Sequence, residues 1–445
     1  MASTRSEFIA TARLALPIAI GLSGHGLMTT LDAALLGRHS TGSLAACGLG
    51  VNVHMPPLLF GYGILVGVSV LSAQGRGAGD AGAAPRALRA GLVAAIAYGL
   101  IMAALLHLAV GAGLTRVSGL PEPVLREADG FLIALAWSSP FSFLFQAIKN
   151  AAEAAGRPWR PLFWLIAGLG ANAVLGRLLI FGKAGLPELG APGAGIATLA
   201  GRVIMLAGLA WNERAMLRPA FDSAARGGIR ALLAFGVPCG LHWLAEVGVF
   251  AASPLIIARW FGAGPLAAYQ IAVSVASMAF MLPLGISQAA GIRAGEAFGA
   301  KDFFRLRIIG RGALDFALGF MGLYALGVAA THAMIPEIFM GAGGSEETFA
   351  LAKKMLLVAA AFALADGVQV TAAGLLRGLG DTKFASLTGL VAYWIVGLPL
   401  GLALAAFTGL GALGIWLGLA GGLVFAAIAF ALRWRNRLRT MADAG

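Results

Sequence analysis

The sequence predicts an all-α integral membrane protein in which twelve transmembrane helices form two related six-helix bundles. Three observations carry this. Apolar residues make up 59% of the 445-residue chain and charged residues only 12%, too little polar surface for a dissolved globule of this size. Twelve apolar runs reach the ~20 residues that span a bilayer, and lipid admits such runs only as helices because it offers no partner to an unpaired backbone group. The order of motifs in the first half also recurs roughly 220 residues later.

The runs are centred on about residues 10–36, 44–72, 87–112, 128–149, 161–181, 190–211, 229–259, 265–291, 307–336, 352–377, 385–407 and 410–432. Leu16-Pro17 corresponds to Val237-Pro238, Gly42-Ser43-Leu44-Ala45-Ala46 to Gly264-Pro265-Leu266-Ala267-Ala268, Gly67-Val68-Ser69 to Gly285-Ile286-Ser287, and Gly77-Ala78-Gly79-Asp80 to Gly299-Ala300-Lys301-Asp302. The end of the fourth run, Lys149 to Pro158, matches Leu375 to Lys383 at the end of the tenth. The polar stretch from Trp211 to Arg230 coincides with the repeat boundary. The expected organisation is therefore an amino-terminal bundle over 1–211, a cytoplasmic linker over 212–230 and a carboxy-terminal bundle over 231–445. Glycine pairs spaced Gly-x-x-x-Gly, as at Gly63/Gly67, Gly236/Gly240, Gly374/Gly378 and Gly397/Gly401, suit close helix packing in lipid. Pro17, Pro238, Pro283 and Pro399 lie inside apolar runs, where they free a carbonyl and bend the helix.

A net charge of +12 would point to nucleic acid in a soluble protein, so the location of the bases decides its meaning. With both termini cytoplasmic, the cytoplasmic side holds 23 of the 32 Lys and Arg residues. That is the positive-inside bias of a membrane protein, and it requires no nucleic-acid partner. Cys47 and Cys239 both fall in apolar runs and read as packing residues, with no disulfide or metal spacing. No small-residue cleavage site follows the amino-terminal residues, so the first span is expected to remain.

An ionisable side chain inside a span costs at least ~2.5 kcal/mol, which makes each one a site candidate. Glu246 in the seventh span has His242 four residues before it on the same face; the plain alternative is a structural Glu-His hydrogen bond. Asp366 in the tenth has Gln369 on its face. Two anions close together need a cation or a proton, and carboxylate and amide oxygens are suitable hard ligands. Asp32 near the far end of the first span is the third candidate, with a solvated helix end as the alternative. Asp315 is explained equally well by a pair with Arg311 at i−4. Arg177 and Arg202 are costly but have room to snorkel or to bond a carbonyl. Tyr62, Trp137, Phe141, Phe145, Tyr269, Tyr393 and Trp394 offer cation-π surface, or simply packing. No Walker A, His-Glu-x-x-His or Gly-x-Ser-x-Gly arrangement is present, so an enzyme is not expected.

Leu14-Ala15-Leu16-Pro17 with Asp32-Ala33-Ala34-Leu35-Leu36-Gly37-Arg38, Met281-Leu282-Pro283-Leu284-Gly285-Ile286-Ser287, Leu376-Arg377-Gly378-Leu379-Gly380-Asp381-Thr382, and Asn172 with Ile180-Phe181-Gly182 together resemble the multidrug and toxic compound extrusion (MATE) transporters, in their NorM-like bacterial branch. The resemblance implies two pseudo-symmetric bundles in the V-shaped fold of that superfamily. It also implies a secondary active antiporter that exports organic, often cationic, compounds in exchange for Na+ and/or H+, conferring drug resistance. Glu246 and Asp366 match the carboxylate pair that binds sodium in the NorM-like branch, and Asp32 matches the aspartate of proton coupling. Asn172, His242, Tyr269, Gln270, Gln369 and Tyr393 are candidate neighbours of the ion or substrate. Where the DinF-like branch carries an aspartate, this chain has Gly176, while His242 and Arg177 fit neither pattern. The implied protein is a monomer of the bacterial inner membrane, surrounded by lipid, with no cofactor beyond the coupling ion. The alternative transporter is a flippase for a lipid-linked or polyprenyl substrate, which would call for several basic residues in its cavity.

Overall fold

A computed structural model of the chain describes residues 4–222 and 227–443. Residues 223–226 of the expected linker lie outside the described residues, as does the side chain of His25. No strand occurs among the described residues, and twelve helices are long and apolar enough to cross a membrane. They are α1 (Thr4–His39), α2 (Thr41–Gly77), α3 (Ala83–Gly111), α4 (Glu122–Ala154), α5 (Trp159–Ile180), α6 (Ala191–Asn212), α7 (Ile229–Phe261), α8 (Ala263–Gly299), α9 (Phe303–Thr331), α10 (Glu346–Gly378), α11 (Thr382–Phe407) and α12 (Ala412–Asp443). Leu108, Leu323 and Leu326 leave 67%, 71% and 71% of their surface exposed. Rows of such side chains are stable against lipid rather than water, and the protein is an integral multi-pass membrane protein.

The described chain forms two compact units. The amino-side unit is Ile20–Gly240, and the carboxy-side unit is Met1–Ala19 with Leu241–Gly445. The first turns of α1 thus belong to the carboxy-side unit and the first turns of α7 to the amino-side unit. In each, the seat is a glycine. A Cβ on Gly63 of α2 would lie within 2.6 Å of the Gly240 backbone of α7, and one on Gly285 of α8 would lie 2.6 Å from Ala19 and 2.8 Å from the Ala15 carbonyl of α1.

These contacts correct one motif pairing. α2 and α8 are both 37 residues long and run with one offset from end to end, so the counterpart of Gly285 is Gly63. The Gly-Val-Ser run at 67–69 lies one turn further along. Motif likeness cannot distinguish neighbouring turns of a glycine-rich helix, whereas the backbone contact can. Other pairings agree with the register. Gly79 and Lys301 both take left-handed backbone after their helices, with φ of 75° and 57°, and the following aspartates accept amide bonds, Asp80 from Gly82 and Asp302 from Arg305, each at 2.9 Å. Arg86 also bonds Asp80 and, with that amide, holds its carboxyl below the usual range.

The loops after α4 and α10 repeat a device with reversed charge. Gly156 after α4 and Gly380 after α10 are left-handed, at φ of 75° and 80°, and the next residues are Arg157 and Asp381. Arg157, with Arg160, pairs with the fully buried Glu213 beyond α6 at 3.0 Å, while Asp381 pairs with Arg433 of α12 at 2.8 Å and Arg437 at 3.6 Å. In the carboxy-side unit, Arg293 of α8 also bonds Glu7 and Thr11, tying down the first turns of α1.

Gly63→Val and Gly285→Val should each lower thermal stability in detergent by about 1–3 kcal/mol or more through overpacking. Gly319→Ala, where nothing lies within 4 Å of an added Cβ, should leave the unfolding midpoint unchanged or raised; equal midpoints for all three would refute the close crossings.

Candidate cation-binding sites

In the amino-side unit, Asp32 is the centre of a closed set of bonds. Asn172 of α5 donates its amide to Asp32 Oδ1 at 3.1 Å, and Thr198 of α6 donates its hydroxyl to Oδ2 at 2.8 Å. Asn172 also donates to Thr198 Oγ1 at 3.0 Å. The set forms because α5 and α6 cross closely: a Cβ on Gly201 would stand 2.8 Å from the Gly168 carbonyl and 3.4 Å from Asn172 Cβ. Asp32 is 3% exposed, so the solvated helix end anticipated as its alternative is not what is found. Arg38 nearby is exposed and does not take it. Asn172 Oδ1 has no partner among the described residues.

In the carboxy-side unit, Glu246 of α7, Asp366 and Gln369 of α10 and Tyr393 of α11 are gathered together. Gln369 donates to the Tyr393 hydroxyl at 2.8 Å, and Glu246 and Asp366 interact electrostatically with each other and with Tyr393. His242 Nε2 stands 3.9 Å from Glu246 Oε2, too far for the structural Glu-His hydrogen bond considered as the alternative. The ring fits because α11 has Gly389 against it. Gln369 Oε1 is a buried acceptor with no partner among the described residues. Those residues hold no group of three or more His, Cys, Asp or Glu side chains placed for a metal. The donors at hand are two carboxylates with amide and hydroxyl oxygens, which fit a hard monovalent cation.

Tyr393 owes its position to an irregularity. α11 contains a π-helical segment, Val391–Gly397, that its counterpart α5 lacks. The close contact of Gly201 with the Gly168 carbonyl recurs as Gly422 with the Ala392 carbonyl, and that of Gly193 with Leu179 as Gly414 with Leu404. Between those two contacts α11 has gained one residue on α5, while α12 keeps a constant offset from α6. One added residue turns the following chain by about 100° relative to the preceding part.

The remaining candidates are placed as follows. Tyr269 is buried edge-on against Trp416, ring centroids 5.3 Å apart, with its hydroxyl 3.5 Å from the Phe250 carbonyl. Gln270 and Arg177 are exposed. Asp315 pairs with Arg311 at 3.7 Å on an exposed face. Of the aromatics, Phe145 and Tyr393 are fully buried, Tyr62 bonds Ser142 at 2.6 Å, and Trp137 and Trp394 are 44% and 38% exposed. Thr198 was not singled out from the sequence. A lone threonine in an apolar run carries no cost that would mark it, and only its position across from Asn172 gives it a role. Arg202 did carry that mark: it does not snorkel but lies buried, donating to Ser138 at 2.6 Å.

The family model described as MatE matches residues 17–178 and 238–403. The chain is 34% identical to the "Probable multidrug resistance protein NorM" of Bradyrhizobium diazoefficiens, over 98% of this chain and 94% of that one. It is 36% identical to the "Multidrug resistance protein NorM" of Burkholderia vietnamiensis, over 97% and 94%. Among solved structures, the Vibrio cholerae MATE transporter VcmN in the bent form superposes with a TM-score of 0.87 at 21% identity, covering 99% of each chain. At that identity the likeness is one of fold.

Thr198→Val removes one of the two donors that hold Asp32 as an anion, a bond of ~0.6–1.7 kcal/mol inside a membrane bundle. A hydrophobic carbodiimide, which attacks only the protonated carboxyl, should therefore label Asp32 about threefold faster or more in the variant at the same pH. An unchanged labelling rate would show that the hydroxyl does not hold the carboxylate.

Proposed function

Because the chain belongs to the MATE family, in its NorM-like branch, we propose that it is a secondary active antiporter. It exports organic, often cationic, compounds across the bacterial inner membrane as Na+ and/or H+ enters, with both termini cytoplasmic. The members of this family are transporters and not enzymes. The observation that carries the reading is that each compact unit buries its own carboxylate site inside the membrane-spanning helices: Asp32 with Asn172 and Thr198 in one, Glu246 and Asp366 with Gln369 and Tyr393 in the other.

The two sites differ in what they offer a cation. Asp32 is a single carboxylate already closed by two neutral donors, a setting that suits a proton added to and removed from one oxygen. Glu246 and Asp366 are two acids within electrostatic reach of one another, with the unpartnered amide oxygen of Gln369 one turn from Asp366 on α10. Such a pair holds together best with a cation between its oxygens. The reading therefore assigns proton coupling to Asp32 and sodium to Glu246 and Asp366, with His242 and Tyr393 as neighbours of the second site. No observation favours the flippase alternative. It calls for several basic residues about a cavity, whereas Arg177 is exposed and Arg202 is engaged with Ser138.

Ethidium efflux from energised vesicles, driven by a sodium gradient alone and then a proton gradient alone, tests the coupling. Asp32→Asn should abolish proton-driven efflux while the purified protein still binds sodium, and Glu246→Gln or Asp366→Asn should remove that sodium binding. Sodium affinity unchanged in both carboxy-side variants would overturn the division and leave a purely proton-coupled exporter.

A further inference from the structure

Arg202 is a buried charge that the coupling chemistry described so far does not use. An arginine in a membrane span ordinarily extends its head group towards water, yet this one, at the middle of α6, is 7% exposed. Its Nη1 donates to Ser138 Oγ of α4 at 2.6 Å, and its Nε has no partner among the described residues. Arg202 follows Thr198 by four residues on α6, so the two share a face one turn apart. Thr198 holds Asp32 directly, and the guanidinium interacts electrostatically with the same carboxylate from the next turn.

The other groups that face this pair are neutral. From α2 come His54, bonded to Ser139 at 3.0 Å, Tyr62, bonded to Ser142 at 2.6 Å, and Cys47; from α4 come the three serines, and from α5 Asn172. A guanidinium keeps its proton in a protein. With Asp32 ionised, the site is therefore neutral before any ion arrives. A proton is still accepted there, because it forms a covalent O–H bond at one oxygen. Sodium has only electrostatic attraction to offer, and it would enter beside a fixed positive charge in a medium that screens poorly. In the carboxy-side unit two acids, Glu246 and Asp366, stand against one guanidinium, that of Arg377, within electrostatic reach of Glu246; with both acids ionised that site carries a net negative charge, which a sodium ion can neutralise.

We propose that Arg202 is the specificity-determining residue that reserves the Asp32 site for protons by occupying the electrostatic role a sodium ion would otherwise fill. This rests on the reading that Asp32 takes the coupling cation. The test uses full-length purified protein carrying Glu246→Gln and Asp366→Asn, so that the carboxy-side site is neutral, with radioactive sodium alone as the probe at alkaline pH. With Arg202 present, no saturable sodium binding is expected. Arg202→Met, or Arg202→Gln, which can still bond Ser138, should gain binding at about tenfold higher affinity or more, and adding Asp32→Asn should remove it. Arg202→Lys, which keeps the charge, should behave like its parent.

Saturable sodium binding while Arg202 is present would overturn the proposal. So would the absence of any gain in both neutral variants, or an equal gain in Arg202→Lys, since a merely structural role would not follow charge. Proton-driven efflux that persists in Asp32→Asn alone would defeat the reading of Asp32 instead, so the two failures are distinguishable.

Discussion

A carboxylate surrounded by lipid-facing helices must find every one of its partners inside its own bundle, and much of this structure follows from that requirement. Asp32 draws a donor from α5 and another from α6, so the bonds that make the charge tolerable also fix how three helices are rotated about their axes. Such bonds need short reach. Gly168 and Gly201 bring α5 and α6 together beside Asn172, and Gly389 makes room for the His242 ring next to Glu246. The glycines are therefore as much a condition of the polar sites as the polar residues themselves.

The repeated frame and the unequal chemistry have the same explanation. Paired positions in the two units are held by backbone contacts at small residues, as at Gly63 with Gly240 and Gly285 with Ala19, and such contacts do not sense the charge of side chains that point elsewhere. Equivalent positions are thus free to differ. Asp32 corresponds to Ser253, Glu246 to His25, and Asp366 to Ser142, which bonds Tyr62. After α4 and α10 even the polarity of an ion pair is exchanged, Arg157 with Glu213 against Asp381 with Arg433. The π-helical segment of α11 is the one place in these comparisons where the frame departs from its repeat by a residue. It contains Tyr393, whose hydroxyl accepts from Gln369.

The sequence by itself determined the class, the twelve spans, the duplication and the three acids, because each rests on a cost that any membrane imposes. Long apolar runs must be helices, and ionisable groups within them must have a use or a partner. The resemblance to a transporter family was legible for the same reason, since its motifs are the glycine, proline and acidic positions that this architecture cannot easily replace. Only the tertiary structure decided which neutral groups hold those acids. Thr198, the acceptor on Gln369 and the guanidinium of Arg202 acquire meaning through positions on neighbouring helices, and helix azimuth is set by packing between segments far apart in the chain. The register of the repeat was settled in the same way, by one glycine's backbone contact, because a pattern of small apolar residues reads almost identically one turn earlier or later.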